Sequence, residues 1–221
     1  ITTVPILRPE EVEEMASRAR AAQPAWAAAG FDERAKVFQR ARKWMVDNAE
    51  RIIELVCSES GKTYEDAALA DHGHTVGALD FWSKNAEGYL EDEHVPSWNN
   101  PMVAGKKLTI RYAPVGVVGV IGPWNYPITN SFGDCIPALA AGNSVILKPS
   151  EVTPLSSLLM EEMMRECGLP EHVFQVATGE GSTGAALIEH VDCIMFTGST
   201  KTGKAVMRAA ADQLIPCYLE L

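Results

Sequence analysis

From Pro114 to the last residue, apolar runs of four to seven residues alternate with helical stretches, and this rhythm constrains the fold more than any other feature. The runs are Val115 to Ile121, Ser144 to Leu147, Val173 to Ala177, Cys193 to Phe196 and Cys217 to Leu221, each read as a strand. The intervening helices are Thr129 to Ala141, Pro154 to Cys167, Thr183 to His190 and Thr202 to Leu214. Thr153 followed by Pro154 predicts an N-cap and first-turn pair, and Gly168 a left-handed C-terminal stop. Strands apolar on both faces and joined by helices form a parallel sheet covered on both sides. In such sheets ligands bind beyond the carboxyl ends of the strands. The candidate functional residues are therefore those just after each run.

The first third differs in character. From Glu10 to about Tyr89 helix formers dominate, with Val37, Ala41, Trp44 and Met45, then Ile52, Leu55 and Val56, at helical spacing. Asp32 is read as the N-cap of a helix over Glu33 to Ser60, with Gly61 as its stop. Trp26, Phe38, Trp44 and Trp82 are expected in the core. A turn-rich patch spans Val95 to Asn100, and Lys107 to Tyr112 alternates as an exposed strand or hairpin does. Such a strand outside the main sheet often pairs with a partner chain. A length of 221 residues fits one large domain, or one domain with an appendage.

Charge and cysteine usage exclude several classes. Nineteen Lys and Arg against 29 Asp and Glu give a net charge of −10, which argues against nucleic acid and anionic membranes as partners. Five cysteines, at 57, 135, 167, 193 and 217, form no C-x-x-C pair and imply neither a disulfide framework nor a metal site. A reducing compartment, the cytoplasm, is the expectation. The polar, proline-containing start at Ile1 shows no signal peptide pattern. The long uncharged run from Tyr112 to Gly133 is broken by Pro114, Pro123 and Pro127, so it reads as strand, loop and helix rather than a membrane span.

The strand ends carry chemistry. After the first comes Gly122-Pro123-Trp124-Asn125-Tyr126-Pro127, where the Asn125 amide is either an ordinary turn residue or a pair of donors for a developing oxyanion. After the second comes Lys148-Pro149-Ser150-Glu151. Its carboxylate either forms a solvated charge pair or accepts ribose hydroxyls and repels a 2′-phosphate, which selects NAD over NADP. Gly179 to Gly184 offers small residues to an approaching ligand, and Thr197 to Gly203 leads into a helix whose free N–H groups suit a phosphate. Neither loop holds a GxGxxG or a P-loop motif, and each alone fits a helix cap equally well. The fifth strand ends on Glu220 within the apolar run Cys217 to Leu221, where a carboxyl can gain the raised pKa of a general base. Together these ends point to a nucleotide-type ligand lying across the sheet.

In these residues the chain resembles the cofactor-binding half of the aldehyde dehydrogenase superfamily over essentially its whole length. The stretches that carry the resemblance are Pro114 to Gly119, Gly122 to Pro127, Pro137 to Asn143, Lys148 to Glu151, Phe196 to Ser199 and Leu219 to Leu221. The resemblance implies an α/β, Rossmann-like parallel sheet of about five strands, with N-terminal helices and a protruding oligomerisation strand or hairpin. Residues 1–98 and 113–221 would form the NAD(P)-binding domain and 99–112 a bridging segment. Asn125 would be the oxyanion donor and Glu220 the base that activates the deacylating water. Lys148 and Glu151 would clamp the adenosine ribose, and Ser199 with Trp124 would meet the pyrophosphate. Ile121, Gly122, Pro123, Ser150, Gly181, Phe196, Gly198, Thr202 and Leu221 complete the implied cofactor set.

The family reaction starts when a cysteine thiolate attacks an aldehyde. Hydride passes to NAD(P)+, and water then releases the acid from a thioester. That cysteine belongs to a motif downstream of Leu221, none of the five cysteines fits it, and the catalytic domain is likewise expected to be absent. Two readings compete: the cofactor half of an aldehyde-oxidising enzyme, or a non-catalytic dinucleotide-binding or interaction module. A generic α/β domain for another nucleotide would need every matching stretch to be coincidence. NAD is the expected cofactor, with NADP compatible, and the full-length protein is expected to be a homo-dimer or tetramer.

Overall fold

A computed structural model describes residues 3–96, 102 and 105–221. Its centre is a five-stranded parallel sheet, made of β3 (Val117–Ile121), β4 (Ser144–Lys148), β5 (Phe174–Val176), β6 (Cys193–Thr197) and β7 (Cys217–Glu220). The spatial order is β5-β4-β3-β6-β7, so the chain winds outward from β3 in both directions. The expected Rossmann-like α/β sheet is the one observed. Side chains along each strand alternate between two apolar layers. Val118, Val120, Val145 and Leu147 point to one face, and Val117, Ile146, Ile194 and Phe196 to the other.

The first face is covered by α2 (Gly30–Asp47), α3 (Ala49–Ser60), α5 (His74–Tyr89), α6 (Gly133–Ala140) and α7 (Pro154–Glu166). The second carries α1 (Pro9–Ala28), α8 (Gly181–Ile188) and α9 (Thr200–Asp212). Trp26 and Phe38 are buried in the core as expected, while Trp44 and Trp82 pack against its margin. Each fully buried aliphatic or aromatic side chain contributes about 1.5–3 kcal/mol. Among the described residues no helix is long and apolar enough to cross a membrane.

Several boundaries differ from the sequence reading. The single helix expected over 33–60 is two, because Asn48 turns its side-chain amide onto the Trp44 carbonyl and interrupts the ladder. Asp32 consequently lies in the first turn of α2 rather than at its cap. Gly61, at φ 74°, and Gly168, at φ 82°, do close their helices in the left-handed region. Thr153 stands at the N-cap of α7, yet its hydroxyl caps nothing. The Glu59 carboxylate of α3 does so instead, accepting from Leu155 N (2.5 Å) and Ser156 N (2.8 Å). A short turn, α4 (Tyr64–Asp66), runs into a π-helical stretch at Ala67–Gly73, and a second such stretch at Ile128–Phe132 precedes α6.

The strand read at 107–112 is shorter, and its partner lies within the chain. β2 (Leu108–Ile110) pairs antiparallel with β1 (Glu93–Val95), Glu93 opposite Ile110. The alternation read as an exposed strand or hairpin is therefore one strand of a hairpin within the chain. The rest of the turn-rich patch, from residue 97, and the boundary at 98–99 lie outside the described residues.

Candidate functional site

A cleft of about 830 Å3 opens beyond the carboxyl ends of β3, β4, β6 and β7, spanning the point where the winding reverses. Every residue singled out above as a catalytic or cofactor candidate lines it. Its floor starts at Ile121 and Gly122. The Gly122 N–H donates to Lys148 O (3.1 Å), which ties the loop after β3 to the end of β4. A Cβ on Gly122 would lie 1.9 Å from Ser131 Oγ, so only glycine lets Ser131 pack there. Pro123 continues the wall, and Trp124 and Asn125 stand exposed at its rim.

At the end of β4 the Lys148 side chain is 6 % exposed, and its ammonium lies 3.4 Å from Glu151 Oε2. Glu151 is itself exposed, as is the neighbouring edge at Ser150 in part. The Glu151 backbone N–H, with help from the Lys148 charge, holds its carboxyl below the ordinary glutamate range. Opposite, Ser199 caps α9: its Oγ accepts from Thr202 N (3.3 Å). The helix begins at Thr200, two residues earlier than read from sequence, so Thr202 belongs to its first turn. The loop before α8 is strapped by the N-terminal segment, through Leu7 N to Thr178 O (3.0 Å) and Thr183 Oγ1 to Leu7 O (3.0 Å).

Sequence reasoning found only Gly181 and Thr202 of the two long walls and missed the rest. Gly181, Gly184, Ala185 and Ile188 of α8, and Thr202, Ala205, Val206 and Ala209 of α9, line the cleft. Both sets recur at i, i+3, i+4 and i+7, the spacing of one helical face, and that recurrence of small residues was the available signal. Thr197 and Asn130 complete the lining.

Glu220 closes the cleft at the end of β7, in register with Thr197, and its carbonyl accepts the Gly198 N–H (3.0 Å). It is exposed, as are Tyr218 and Leu221, so the apolar surroundings inferred from its sequence neighbours are not present. Strand-end position and burial are separate properties, and an edge strand supplies only the first. The desolvated acid is Asp134, in the first turn of α6. Burial and the nearby Glu220 charge push its carboxyl up to about 6, against a 3.4 Å hydrogen bond from Thr197 Oγ1. No motif flagged Asp134; its signal was an acid in an otherwise apolar helix.

The five cysteines are free thiols, and none lines the cleft. Burial pushes the thiols of Cys135, Cys167, Cys193 and Cys217 up, away from the thiolate form. Among the described residues no cluster of three or more His, Cys, Asp or Glu stands ready for a metal ion.

A doubly wound parallel sheet with its cleft at the reversal of winding defines a Rossmann-like α/β domain. The sequence model of the aldehyde dehydrogenase family matches residues 1–221, and the chain belongs to that family. It is 37 % identical over 223 residues to a Mycobacterium ulcerans (strain Agy99) protein named provisionally as succinate-semialdehyde dehydrogenase (NADP(+)) 2, covering 100 % of this chain and 42 % of that one. It is 35 % identical over 215 residues to the betaine aldehyde dehydrogenase of Sinorhizobium fredii (strain NBRC 101917 / NGR234), covering 96 % and 43 %. Among solved structures, PnpE from Pseudomonas sp. WBC-3 superposes with a TM-score of 0.93 at 33 % identity, over 100 % of this chain and 45 % of PnpE. PnpE in complex with nicotinamide adenine dinucleotide gives 0.92 at 34 %, with the same coverage. The chain thus spans less than half the length of these relatives.

Proposed function

We propose that this chain is the NAD(P)-binding portion of an enzyme that oxidises aldehydes to carboxylic acids. The observation that carries the reading is the cleft at the sheet's switch point, with a buried Lys148 and an exposed Glu151 at one end and the capped start of α9 across from them. A buried cation next to a carboxylate suits ribose hydroxyls, and the unpaired N–H groups of a helix's first turn suit a pyrophosphate. Bound NAD(P)+ would supply the hydride acceptor.

The chain's own groups then have these roles. Lys148 and Glu151 hold the adenosine ribose. Ser199 and Trp124 flank the pyrophosphate, and Ile121, Gly122, Pro123, Ser150, Gly181, Phe196, Gly198, Thr202 and Leu221 shape the remaining surface. The Asn125 amide donates to the oxygen on which charge develops, the position where a preorganised donor lowers a barrier most. Glu220 takes the proton of the attacking water. The nucleophilic cysteine is placed outside these 221 residues, because none of the five present lines the cleft. That same observation favours a second reading, in which this chain alone binds cofactor and performs no chemistry. The names of the relatives support an aldehyde substrate, and small aliphatic aldehydes, betaine aldehyde and succinate semialdehyde are all compatible with the residues here. The β1–β2 hairpin is proposed to take part in a homo-dimer or tetramer, which sedimentation tests.

Calorimetric titration with NAD+ and NADP+ tests the assignment. NAD+ is expected to bind, and Glu151→Ala to weaken it about 10-fold, the loss of a charge-assisted hydrogen bond, with NADP+ within about 2-fold of its starting value. Equal losses for both cofactors would remove the role given to Glu151. No binding of either by the wild-type protein would end the cofactor reading. With NAD+ and an aldehyde added, NADH formed by these 221 residues alone would rule out the second reading.

A further inference from the structure

Asn125 and Trp124 are exposed, and among the described residues the Asn125 amide has no hydrogen-bond partner. Its position is therefore set by the backbone on either side. Upstream, the Gly122 N–H is bonded to Lys148 O at 3.1 Å. Downstream, the fastening comes from a different part of the chain. The Lys62 ammonium stands 3.5 Å from the centre of the Tyr126 ring, a cation held over the aromatic face. Asp71 Oδ1 accepts the N–H groups of Ile128 (3.1 Å) and Thr129 (3.3 Å), and the Thr129 hydroxyl donates to Ala70 O.

Lys62 and Asp71 are one ion pair, at 2.7 Å, with side-chain exposures of 11 % and 0 %. Lys62 also meets Asp66 at 2.9 Å. Burial works against the Lys62 charge, but hydrogen bonds to Asp71 and Asp66 outweigh it and hold the ammonium above the ordinary lysine value. A buried pair of this kind seldom adds stability over an apolar replacement, so its presence calls for another account, and fixing one arrangement is the best attested. The arrangement here joins two π-helical stretches, Ala67–Gly73 and Ile128–Phe132, a backbone form frequent at functional sites.

We infer that Lys62 and Asp71 are positioning residues for Asn125: together they clamp Tyr126 and the first N–H groups after Pro127, and so fix where the amide stands in the cleft. The inference rests on Asn125 being the oxyanion donor. Neither residue lines the cleft, so each acts through the loop.

Two measurements test it. In the full polypeptide that carries this chain, Lys62→Met is expected to lower kcat for aldehyde oxidation about 100-fold, the loss that follows a misplacement of about 1 Å. The NAD+ dissociation constant should change far less, by no more than about 5-fold, since most of the proposed cofactor contacts hang on β4, α8 and α9 and only Trp124 with its neighbours lies on the loop. Lys62→Arg keeps a cation over the ring and should recover most of kcat; an arginine variant no better than the methionine one overturns the inference. The second readout is the indole N–H resonance of Trp124, identified by its loss in Trp124→Phe. It should shift or broaden in Lys62→Met, while that of Trp26, bonded to Leu139 O at 2.9 Å in the core, stays in place. If Trp26 moves as well, Asp71→Asn replaces Lys62→Met: it keeps an acceptor for Ile128 and Thr129 but lacks the charge. An unmoved Trp124 in a folded variant, or a fall in kcat matched by weaker NAD+ binding, overturns the inference. A wild-type enzyme that oxidises no aldehyde would instead overturn the proposed function, and the Trp124 resonance would still decide the positioning.

Discussion

At one end of the cleft Lys148 is buried at the tip of β4, and two helices present faces of small residues at regular spacing; at the other, Asn125 and Trp124 stand exposed on a loop between prolines. The first end is made by strands and helix starts, and its shape follows from packing the sheet. The loop end is held at a few points, by the Gly122 N–H on Lys148, by Ser131 against Gly122, and by Asp71 on the first N–H groups after Pro127. Rigidity at the two ends therefore has different sources, and different substitutions should remove it. Gly122→Ala gives the largest expected effect. Its Cβ would meet Ser131 Oγ at 1.9 Å and the Ser131 Cα at 3.0 Å, and backbone cannot rotate aside. Overpacking of this kind lowers stability by about 2–3 kcal/mol, which urea unfolding would register as a lower midpoint. An unchanged midpoint would mean that the loop end yields as easily as the open walls do.

Asp134 stands behind the cleft wall, where Thr197 Oγ1 donates to it, and its acidity offers the next largest test. Its carboxyl is raised from 3.8 to about 6, so the folded protein holds a proton there that the unfolded chain releases. The stability this contributes is full below pH of about 4 and is lost as pH rises through about 6. Asp134→Asn should abolish that dependence and leave the protein more stable at neutral pH by about 1–2 kcal/mol, allowing for partial contact with water. The check is the difference in unfolding free energy between variant and wild type across pH 4–7. A difference that does not change with pH would remove Asp134 as the desolvated acid.

The same contrast explains what could be read from sequence. Strand ends are legible because apolar runs bound by glycine and proline mark them, and the residues following each run fall where the sheet puts its ligand site. Hence Lys148, Glu151, Glu220 and the turn at Thr197 to Gly203 could be placed at the cleft from local pattern, whereas Ser199 within that turn was singled out by the family resemblance. What the pattern does not show is which neighbours arrive from far along the chain. Glu59 caps α7 across 97 positions, and Asp71 reaches Ile128 across 57. Burial is equally non-local: the apolar neighbours of Glu220 in sequence sit on an exposed strand, while Asp134, unmarked by any motif, is the carboxyl that loses its water. Asn48 is the local counterexample, a single residue whose side chain competes with the helix and splits it.

Smaller effects sharpen the comparison at the regular end. Ser199→Ala removes the hydroxyl that accepts the Thr202 N–H, and loss of an N-cap costs about 1 kcal/mol. Because the same hydroxyl is proposed to face the pyrophosphate, NAD+ affinity should fall alongside the unfolding midpoint. A fall in the midpoint alone would assign Ser199 to the helix and not to the ligand.

Gly181→Ala gives the smallest effect on folding and the most selective one on binding. A Cβ at this position meets nothing within 4 Å, and the backbone there is not in the left-handed region, so alanine fits without strain. At the first turn of a helix it should leave stability unchanged or raise it by about 0.5 kcal/mol, through the lower entropy of the unfolded chain. The open space that makes the change harmless is the cleft itself. A methyl group projecting there should weaken NAD+ binding in calorimetry without touching the unfolding midpoint, the reverse of what Gly122→Ala does to the loop end. Unchanged affinity would show that the cofactor does not approach the start of α8, and the proposed path would have to lie closer to α9.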